Sequence, residues 1–502
     1  MMSDKDNRFT IAVAEEVERE LSPSCDDDDL GSSNTVKVKA DSVEKENFPL
    51  REVTIRLPCG LAPLQFNPVV TLMGILIVWG LAVWCMVAPA ASSSALADAR
   101  AGVTEFFTWF YIFTQQFWIL FLIVIYVKFG NQKLGKETDH PEFGPVAYFS
   151  MIFSAGVAVG MFFYGASEPL YHRTSNWYSA TKDLSDDARD MFALNLTMYH
   201  WGLSAWCVYV LVGVTAGIAT HRNGLPMTLR SCFEPLLGVY TWGWIGDIID
   251  GFSCVTVISG VCTSLGLGAI QMIRGLQVIG VVNSGLTEDE LSVTYIIAIW
   301  VVTAAATVSV VSGLDKGIKI LSQTAFFMAL LLWVMVFLFD KTEFLANLFV
   351  QETGYYFQNL IGLGMHTDAF AQLNNGTGRA QDGQAGPQGF ENGWTIYYEA
   401  WWTAWSTFVG MFLARVSKGR TIREVMHYAF GGPLVLCFLW FTVFGGSALR
   451  MRRRAEELMV LGKELYNDTS FYLVPGSDLC YNPPATLYVD GAIKYLNEAP
   501  GV

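Results

Sequence analysis

Long apolar segments follow one another along most of this chain, and they constrain its fold more than any other feature. A helix of about 20 predominantly apolar residues crosses a bilayer, because the hydrocarbon core is about 30 Å thick and a helix rises about 1.5 Å per residue. About nine segments reach this length. They lie near residues 66–90, 105–129, 146–170, 192–219, 247–274, 293–311, 321–339, 393–414 and 430–449. The sequence therefore predicts an all-α membrane protein that crosses the bilayer several times.

The amino-acid composition supports the same class of protein. Of the 502 residues, 52% are hydrophobic and only 16% are charged, which is too apolar for an ordinary soluble protein of this length. The net charge of -14 is misleading for the membrane part of the chain, because much of the acid lies in the first fifty residues, including a run of aspartates at 26–29. Such a polar segment cannot bury enough apolar surface to fold. We predict that residues 1–60 form an acidic, disordered tail.

Basic residues between the apolar segments predict the orientation in the membrane, because cytoplasmic loops carry an excess of Lys and Arg. The linkers after the second, fourth, sixth and eighth segments carry such residues, which makes these linkers and the N-terminus cytoplasmic. The membrane domain then covers residues 61–450, and the polar segment 451–502 is extracellular. One cluster opposes this scheme, since Arg450, Arg452, Arg453 and Arg454 follow the last apolar segment on the predicted outer face.

One further segment, residues 342–363, is too polar to cross a bilayer. Its Phe, Leu and Tyr residues nevertheless recur at helical intervals. This pattern predicts an amphipathic helix that lies on the outer surface of the membrane.

The eighth apolar segment is unusually rich in tryptophan. Trp401, Trp402 and Trp405 fall inside it, although tryptophans that face lipid are normally found at the membrane interfaces. A helix places the first and third of them about 40° apart. Indole faces attract cations, and an onium group, which cannot donate hydrogen bonds, suits an aromatic cage better than a carboxylate. A packing seam between helices would give the same pattern, and the periodicity alone leaves both interpretations open.

A second aromatic wall lies in the fourth segment. Trp201, Trp206 and Tyr209 fall within an arc of about 140° on a helical wheel, so all three can face one cavity. Two such walls on separate segments favour the cage interpretation more than either wall alone.

The third segment is dense in small residues. Gly156, Ala158 and Gly160 occupy alternate positions, and Pro169 follows downstream. Small residues either let two helices touch or loosen a helix so that its carbonyl groups can bind an ion or a substrate. Tight packing is the more common reason, although the downstream proline favours some irregularity.

These motifs resemble those of the betaine/choline/carnitine transporter (BCCT) family. The likeness covers about residues 60 to 450 and rests on AGVAVGMFFYGASEPLYH, HWGLSAWCVYVLVG, HRNGLPMTLRSCFEPLLG, TSLGLGAIQM, SGLDKGIKILSQ and WTIYYEAWWTAWSTFVGMFLARVSKGRTIREV. It implies an inverted-repeat transporter fold of five plus five helices, preceded by two more helices. It also implies a solute with a quaternary ammonium or similar onium head, and a homotrimer.

The resemblance assigns roles to individual residues. It implies that the substrate is held by an aromatic box formed by Trp201, Trp206, Tyr209, Trp401, Trp402 and Trp405. It implies that Gly156, Ala158 and Gly160 form a flexible glycine stretch. It further implies that Ser154, Val157 and Phe408 contribute to ion binding.

The chain also departs from the family pattern. Proton-driven choline carriers tend to hold an acidic residue at the position of Gly160, so this glycine favours a zwitterion such as glycine betaine and coupling to sodium. Sodium-coupled relatives use threonines where Val257 and Val261 stand, which puts one ion site in question. Glu399 replaces a further tryptophan. This carboxylate could neutralise a substrate cation, take up a proton, or stay protonated between helices.

The largest departure lies at the end of the chain. The family continues for further membrane segments, so the resemblance implies a fold truncated after about nine spans, with the second repeat reduced to its first two helices.

Two hypotheses of function remain. The first is secondary active uptake, by symport with sodium, of a quaternary ammonium or sulfonium solute such as glycine betaine, which serves osmoprotection. The second is a non-transporting onium-binding sensor or an inactive fragment of such a carrier.

An enzyme is not expected. The sequence contains no nucleotide-binding loop, metal-ligand cluster or nucleophile–base pair, and its histidines, such as His200 and His427, are isolated and more often structural. We expect no cofactor besides Na⁺ as the coupling ion, no nucleic-acid partner, contact with the lipid bilayer, and a multi-pass location in the plasma membrane.

Overall fold

The computed structural model describes most of the chain between residues 50 and 495. The described residues are 50–55, 64–156, 158–175, 184–283, 285–367, 369, 394–466, 472–473, 486–489 and 492–495. The tail at 1–49, Val157 and most of the segment 467–502 lie outside this set, as do the predictions that concern them.

The described part is built almost entirely from helices. The α-helices are α1 Pro68–Val87, α2 Pro89–Phe129, α3 Pro145–Gly156, α4 Ala158–Ser175, α5 Asp186–Trp201, α6 Leu203–Gly217, α7 Glu234–Leu237, α8 Trp244–Val278, α9 Glu288–Val311, α10 Lys319–Phe339, α11 Thr342–Gly364, α12 Ile396–Val416, α13 Ile422–Met426 and α14 Gly432–Tyr466. Short antiparallel strands lie near the ends of the chain: β1 Val53–Ile55 pairs with β2 Leu64–Phe66, and β4 Thr486–Val489 pairs with both β3 Tyr472–Leu473 and β5 Ala492–Tyr495.

Seven helices of the described residues are long and apolar enough to cross a membrane, or eight if the bent pair α3–α4 counts as one span. This is fewer than the nine predicted from sequence. The missing member is the tryptophan-rich segment, which does form helix α12 of 21 residues. Its Trp, Tyr and Thr residues, with Glu399 and Arg415, make it less apolar than the others. It is instead largely buried by protein, mainly against α6.

The predicted irregularity of the third segment takes the form of a break. Helix α3 ends at Gly156 and α4 begins at Ala158, and the two helices are bent by 59°. A second break divides the fourth segment, because α5 ends at Trp201, Gly202 adopts a non-helical conformation and α6 begins at Leu203. Each break therefore lies beside residues that the sequence analysis assigns to binding.

The basic cluster after α12 is tied to the loop after α2. The backbone of residues 130–134 pairs with that of residues 419–423, through bonds such as Leu134 N to Arg420 O at 2.8 Å. The Arg420 guanidinium lies 4.0 Å from the ring centroid of Tyr148, a cation–π contact. Arg415 pairs with Glu142 at 2.8 Å. These contacts hold the C-terminal end of α12, the helix that carries the tryptophans.

The arginines that opposed the predicted orientation lie inside α14. This helix runs without interruption from Gly432 to Tyr466. Their charges are matched by acidic partners. Arg453 pairs with Asp187 at 2.6 Å and with Asp190, and Arg450 pairs with Asp340.

The amphipathic segment folds as predicted into a helix, α11, which packs against α5 and α14. Its Tyr356 is 1% exposed and reaches the α5–α6 break, where its hydroxyl accepts a hydrogen bond from the backbone of Leu203 at 3.2 Å. A Cβ at Gly202 would lie 2.5 Å from that hydroxyl, so only glycine fits there. Helix α11 therefore supports the break that follows Trp201.

Helix α11 also buries a carboxyl group, which predicts a pH dependence of stability. Burial raises the pKa of Glu352 to about 8, although the neighbouring Asn195 amide opposes this shift. An unfolded glutamate titrates near about pH 4.3. Between these two pH values the folded state binds more protons, so this carboxyl lowers stability progressively as pH rises towards about 8. We expect Glu352→Gln to remove this dependence and to stabilise the folded chain by up to about 3 kcal/mol at neutral pH.

The measurement is the thermal unfolding midpoint of the purified chain at about pH 5, 7 and 8.5. Glu343→Gln is the matched control, because Glu343 is an exposed glutamate of the same helix. An unchanged pH profile in Glu352→Gln would show that this carboxyl does not limit stability.

Candidate functional site

Aromatic side chains from α5, α6 and α12 form one connected cluster in the core of the helical domain. Trp201 and Trp402 lie at its centre, with ring centroids 5.0 Å apart and an interplanar angle of 70°. Trp401 stacks on Trp402 at 4.9 Å, and Tyr398 stacks on the same indole at 5.5 Å. Trp201 and Trp402 are 0% and 1% exposed, so they meet away from lipid and solvent.

The second part of the cluster belongs to α6. The Tyr209 ring lies edge-on to both Trp402, at 6.2 Å, and Trp206, at 5.7 Å. The Trp206 indole is nearly parallel to the Phe153 ring of α3, with an interplanar angle of 8°. Five of the six residues predicted for the aromatic box are therefore joined through ring contacts, and both predicted walls are present.

The sixth predicted residue, Trp405, occupies a different environment. Its indole NH donates to the Ala155 carbonyl of α3 at 3.3 Å, and its ring packs against Phe408 at 5.0 Å. A Cβ at Gly260 of α8 would lie only 2.3 Å from this indole, so the two groups touch. Trp405 thus faces the α3–α4 break. The position of Trp405 on α12 sets the direction of its side chain, but that direction does not place the indole against the other indoles of the box.

The glycines at the break are required by contact with the indoles. A Cβ at Gly156 would lie 2.5 Å from the Trp206 ring, and a Cβ at Gly160 would lie 2.4 Å from the Trp201 ring. Any side chain at either position would displace a buried tryptophan. Both alternatives considered for this segment therefore apply: the helix is broken, and its small residues let indoles approach its backbone. The side chain of Ala158 lies outside the described set.

A buried carboxylate holds Trp201 of the box and Tyr398, which stacks on Trp402. Glu168 of α4 is 0% exposed, and its Oε2 accepts hydrogen bonds from the Trp201 indole NH at 2.8 Å and from the Tyr398 hydroxyl at 2.6 Å. Its Oε1 lies 2.8 Å from His200 Nδ1 and 3.1 Å from His172 Nε2. The expectation that the histidines are isolated is therefore wrong, because the fold brings two of them to one carboxylate.

The other suspected carboxylate, Glu399, also lies buried, at 2% exposure. Its Oε1 accepts from the Tyr199 hydroxyl at 2.9 Å, and Gln116 of α2 donates to that same hydroxyl at 3.4 Å. This side chain therefore points towards α2 rather than along the stacked indoles. The position favours the structural alternative over direct neutralisation of a substrate cation.

The residues suggested for ion binding make fewer contacts with one another than the residues of the aromatic box do. The Ser154 hydroxyl is 3.5 Å from the Ser322 carbonyl of α10, and Phe408 packs on Trp405. Val157 lies outside the described residues. The hydroxyls of Thr256 and Thr263, the threonines nearest the doubtful positions Val257 and Val261, bond to carbonyls of their own helix.

Two cavities lie outside the aromatic cluster. One, of about 580 Å³, is lined by residues of α5, α11 and α14 and includes the charged side chains of Asp187, Lys341 and Arg450. The other, of about 600 Å³, lies beside Arg230, Asp250 and Phe408.

Several contacts of this site correspond to helical spacings in the sequence. Tyr398 stands four residues before Trp402, the spacing of one helix face. Glu168 and His172 show the same spacing on α4. The hydrogen bond between His200 and Glu168 has no such spacing, because Glu168 lies on another helix.

The fold and the site define a multi-pass membrane protein with a buried aromatic cluster beside broken helices. The sequence profile of the BCCT, betaine/carnitine/choline family of transporters matches residues 69–473. The chain belongs to this family, whose members are transporters and not enzymes.

Individual relatives agree with this assignment. The chain is 36% identical over 373 residues to the glycine betaine transporter OpuD of Bacillus subtilis, covering 74% of this chain and 69% of the relative. It is 34% identical over 386 residues to a glycine betaine/proline/choline/ectoine transporter of Vibrio parahaemolyticus, covering 76% and 64%. It is 33% identical over 359 residues to the osmo-dependent choline transporter BetT2 of Acinetobacter baylyi, covering 71% and 49%. The chain thus spans about half to two thirds of the length of the curated relatives it matches.

Proposed function

We propose that this chain takes up a quaternary ammonium or sulfonium solute such as glycine betaine by secondary active transport. The observation that carries the proposal is the buried ring cluster around Trp201 and Trp402, joined through Tyr209 to Trp206. Four indoles and two phenol rings offer π faces to a group that cannot donate hydrogen bonds, in a place where water does not compete. Relatives named for glycine betaine and choline transport support the same class of solute.

The proposed mechanism uses the two breaks. Trp201 ends α5 and Gly160 of α4 touches its indole, so a shift of either broken helix would open or close the aromatic box. The charged cavity beside Arg453 and the cavity beside Arg230 are the proposed approaches from the two membrane faces. Alternating access then requires movement around a fixed site.

Sodium is the proposed coupling ion. We place it at the α3–α4 break, near Ser154 and Phe408, where the Ala155 carbonyl already accepts from Trp405. The absence of an acidic side chain at Gly160 supports sodium over proton symport. We further propose a plasma-membrane location with a cytoplasmic N-terminus, and a homotrimer.

The test is uptake of radiolabelled glycine betaine by cells that lack their own onium carriers, in sodium buffer and in potassium buffer. Saturable uptake that requires sodium supports the proposal. Binding of glycine betaine to the purified chain without uptake would support the sensor hypothesis instead. The lack of both, with the chain present in the membrane, would contradict an onium function.

Glu399 gives a separate prediction. Because its carboxyl bonds to Tyr199 on the side facing α2, we expect Glu399→Gln to preserve that bond and to change glycine betaine affinity by less than about threefold, below the worth of one hydrogen bond. Glu399→Ala should instead lower the unfolding midpoint, since it leaves the Tyr199 hydroxyl without this acceptor. The measurements are isothermal titration and thermal unfolding. A tenfold or larger loss of affinity in Glu399→Gln (about 1.4 kcal/mol) would show that this carboxylate binds the cation.

A further inference from the structure

Glu168 is the centre of a buried polar cluster that touches the aromatic box. Four groups surround its two oxygens: His172 and His200 at Oε1, and Trp201 and Tyr398 at Oε2. A carboxylate has about four lone-pair positions, so these contacts occupy all of them. An ionised Glu168 accepts from all four donors, whereas a proton on either oxygen would displace one. The geometry therefore keeps the negative charge on Glu168 and directs any additional proton to a histidine.

His200 has the geometry of that proton acceptor. Its Nδ1 faces Glu168, so Nδ1 carries the hydrogen in the neutral ring, and the hydrogen-bond network assigns this tautomer. Its Nε2 lies 3.0 Å from the Thr395 hydroxyl. A hydroxyl can donate to a neutral Nε2 and accept from a protonated one. Both protonation states of His200 are therefore hydrogen-bonded without movement of the helices.

Among the described residues, the other side chains around the cluster are neutral or have their charge paired elsewhere. Tyr164 and Tyr171 contribute neutral rings from α4, and Tyr398 contributes a hydroxyl from α12. Arg173, next to His172, turns instead to Asp190 and Glu456. Tyr199 precedes His200 and bonds to Glu399 on its far side. The cluster thus carries one negative charge when both histidines are neutral and none when one is protonated.

This charge lies directly behind the wall of the box. The Trp201 indole NH donates to Glu168 while the ring of Trp201 faces Trp402, and Tyr398 likewise bonds to Glu168 while stacking on the same indole. A carboxylate behind an indole attracts a cation in front of it, and the attraction is strong where water is excluded. The charge on the cluster therefore adds to the binding of an onium head.

We propose that Glu168, His172 and His200 form a proton-binding site that competes with the onium solute, His200 being the proton acceptor. The proposal rests on the onium function proposed above. Protonation neutralises the cluster and weakens the box for a cation, and by linkage a bound cation expels the proton. A solute with a net positive charge, choline, is affected more than the zwitterion glycine betaine, whose carboxylate experiences the opposite field.

The experiment measures binding of choline and of glycine betaine to the purified full chain by titration calorimetry, between about pH 5 and about pH 8. We expect choline affinity to fall about tenfold towards the acid end, with a smaller change for glycine betaine. Titrations in buffers of different ionisation enthalpy should also show protons released when choline binds.

Three variants separate the site from general effects. His200→Asn places an amide donor at the position of Nδ1 but cannot take up a proton, so its choline affinity should vary less than about twofold over this pH range. Thr395→Val removes the acceptor for a protonated ring and should reduce the loss of choline affinity at the acid end. His427→Gln removes a histidine whose Nε2 bonds to Tyr126, distant in the chain from the cluster, and should retain the wild-type profile.

The outcomes distinguish this proposal from the one on which it rests. Choline binding of equal affinity at every pH, or a wild-type profile in His200→Asn, would overturn the proton site while leaving the onium function intact. Absence of onium binding at every pH would overturn the proposed function, and the competition with it.

Discussion

Replacing Trp402 with alanine is expected to weaken choline binding by about tenfold to thirtyfold, the equivalent of about 1.4 to 2 kcal/mol. Its indole contacts Trp201, Trp401, Tyr398 and Tyr209, so it is the ring through which both walls of the box are joined. Loss of this π face removes a cation contact in a site from which water is excluded, where such contacts are strongest. The measurement is titration calorimetry on the purified chain.

Two further variants make this result specific. Trp402→Phe retains a smaller π face and should lose less affinity than Trp402→Ala. Trp79→Ala removes an indole from α1 that is 63% exposed, so choline affinity should stay within about twofold of wild type. Equal losses in Trp402→Ala and Trp79→Ala would show that the indoles act through folding and not through recognition.

The second large effect is expected from one methyl group at Gly160. In Gly160→Ala the new Cβ would lie 2.4 Å from the Trp201 ring, which is 0% exposed and held by Glu168. The indole or α4 must move, and overpacking of this kind costs about 1 to 3 kcal/mol of stability. Because the displaced ring is a wall of the box, we expect a lower unfolding midpoint together with a loss of choline affinity of tenfold or more, about 1.4 kcal/mol.

Gly80→Ala is the matched control for this prediction. Gly80 is an exposed glycine of α1 with nothing within 4 Å of the position of a Cβ. An alanine there should stabilise the helix by up to about 1 kcal/mol, because glycine is a poor helix former. If Gly160→Ala matched Gly80→Ala in both stability and affinity, the close contact between α4 and Trp201 would be refuted.

Much of this architecture could be predicted from sequence because it depends on local patterns. Apolar length located the membrane helices, and helical periodicity grouped Trp206 with Tyr209 on α6. By length and hydropathy the described residues give one helix fewer than predicted, because α12 has the length of a span but carries polar residues and is surrounded by protein. Gly156 and Gly160 signalled both close contact and a break, and the structure contains both.

The remaining features depend on contacts between distant parts of the chain. The Glu168 cluster joins α4 to His200 on α5 and to Tyr398 on α12, and no periodicity within one helix reveals such a meeting. Trp405 shares a face with Trp401 on a helical wheel, yet it packs beside Ala155 because α3 ends there. Periodicity gives the direction of a side chain, and tertiary packing decides what it meets.

The most direct test of the aromatic box compares choline with its uncharged isostere 3,3-dimethyl-1-butanol, in which carbon replaces the ammonium nitrogen. The two molecules have nearly the same shape, so a difference in their affinities reports the interaction of positive charge with the rings and with Glu168. We predict that the purified chain binds choline at least about tenfold more tightly than the isostere, and that Trp402→Ala reduces this ratio. Equal affinity for both molecules, or a ratio unchanged in Trp402→Ala, would contradict recognition of an onium head by this site.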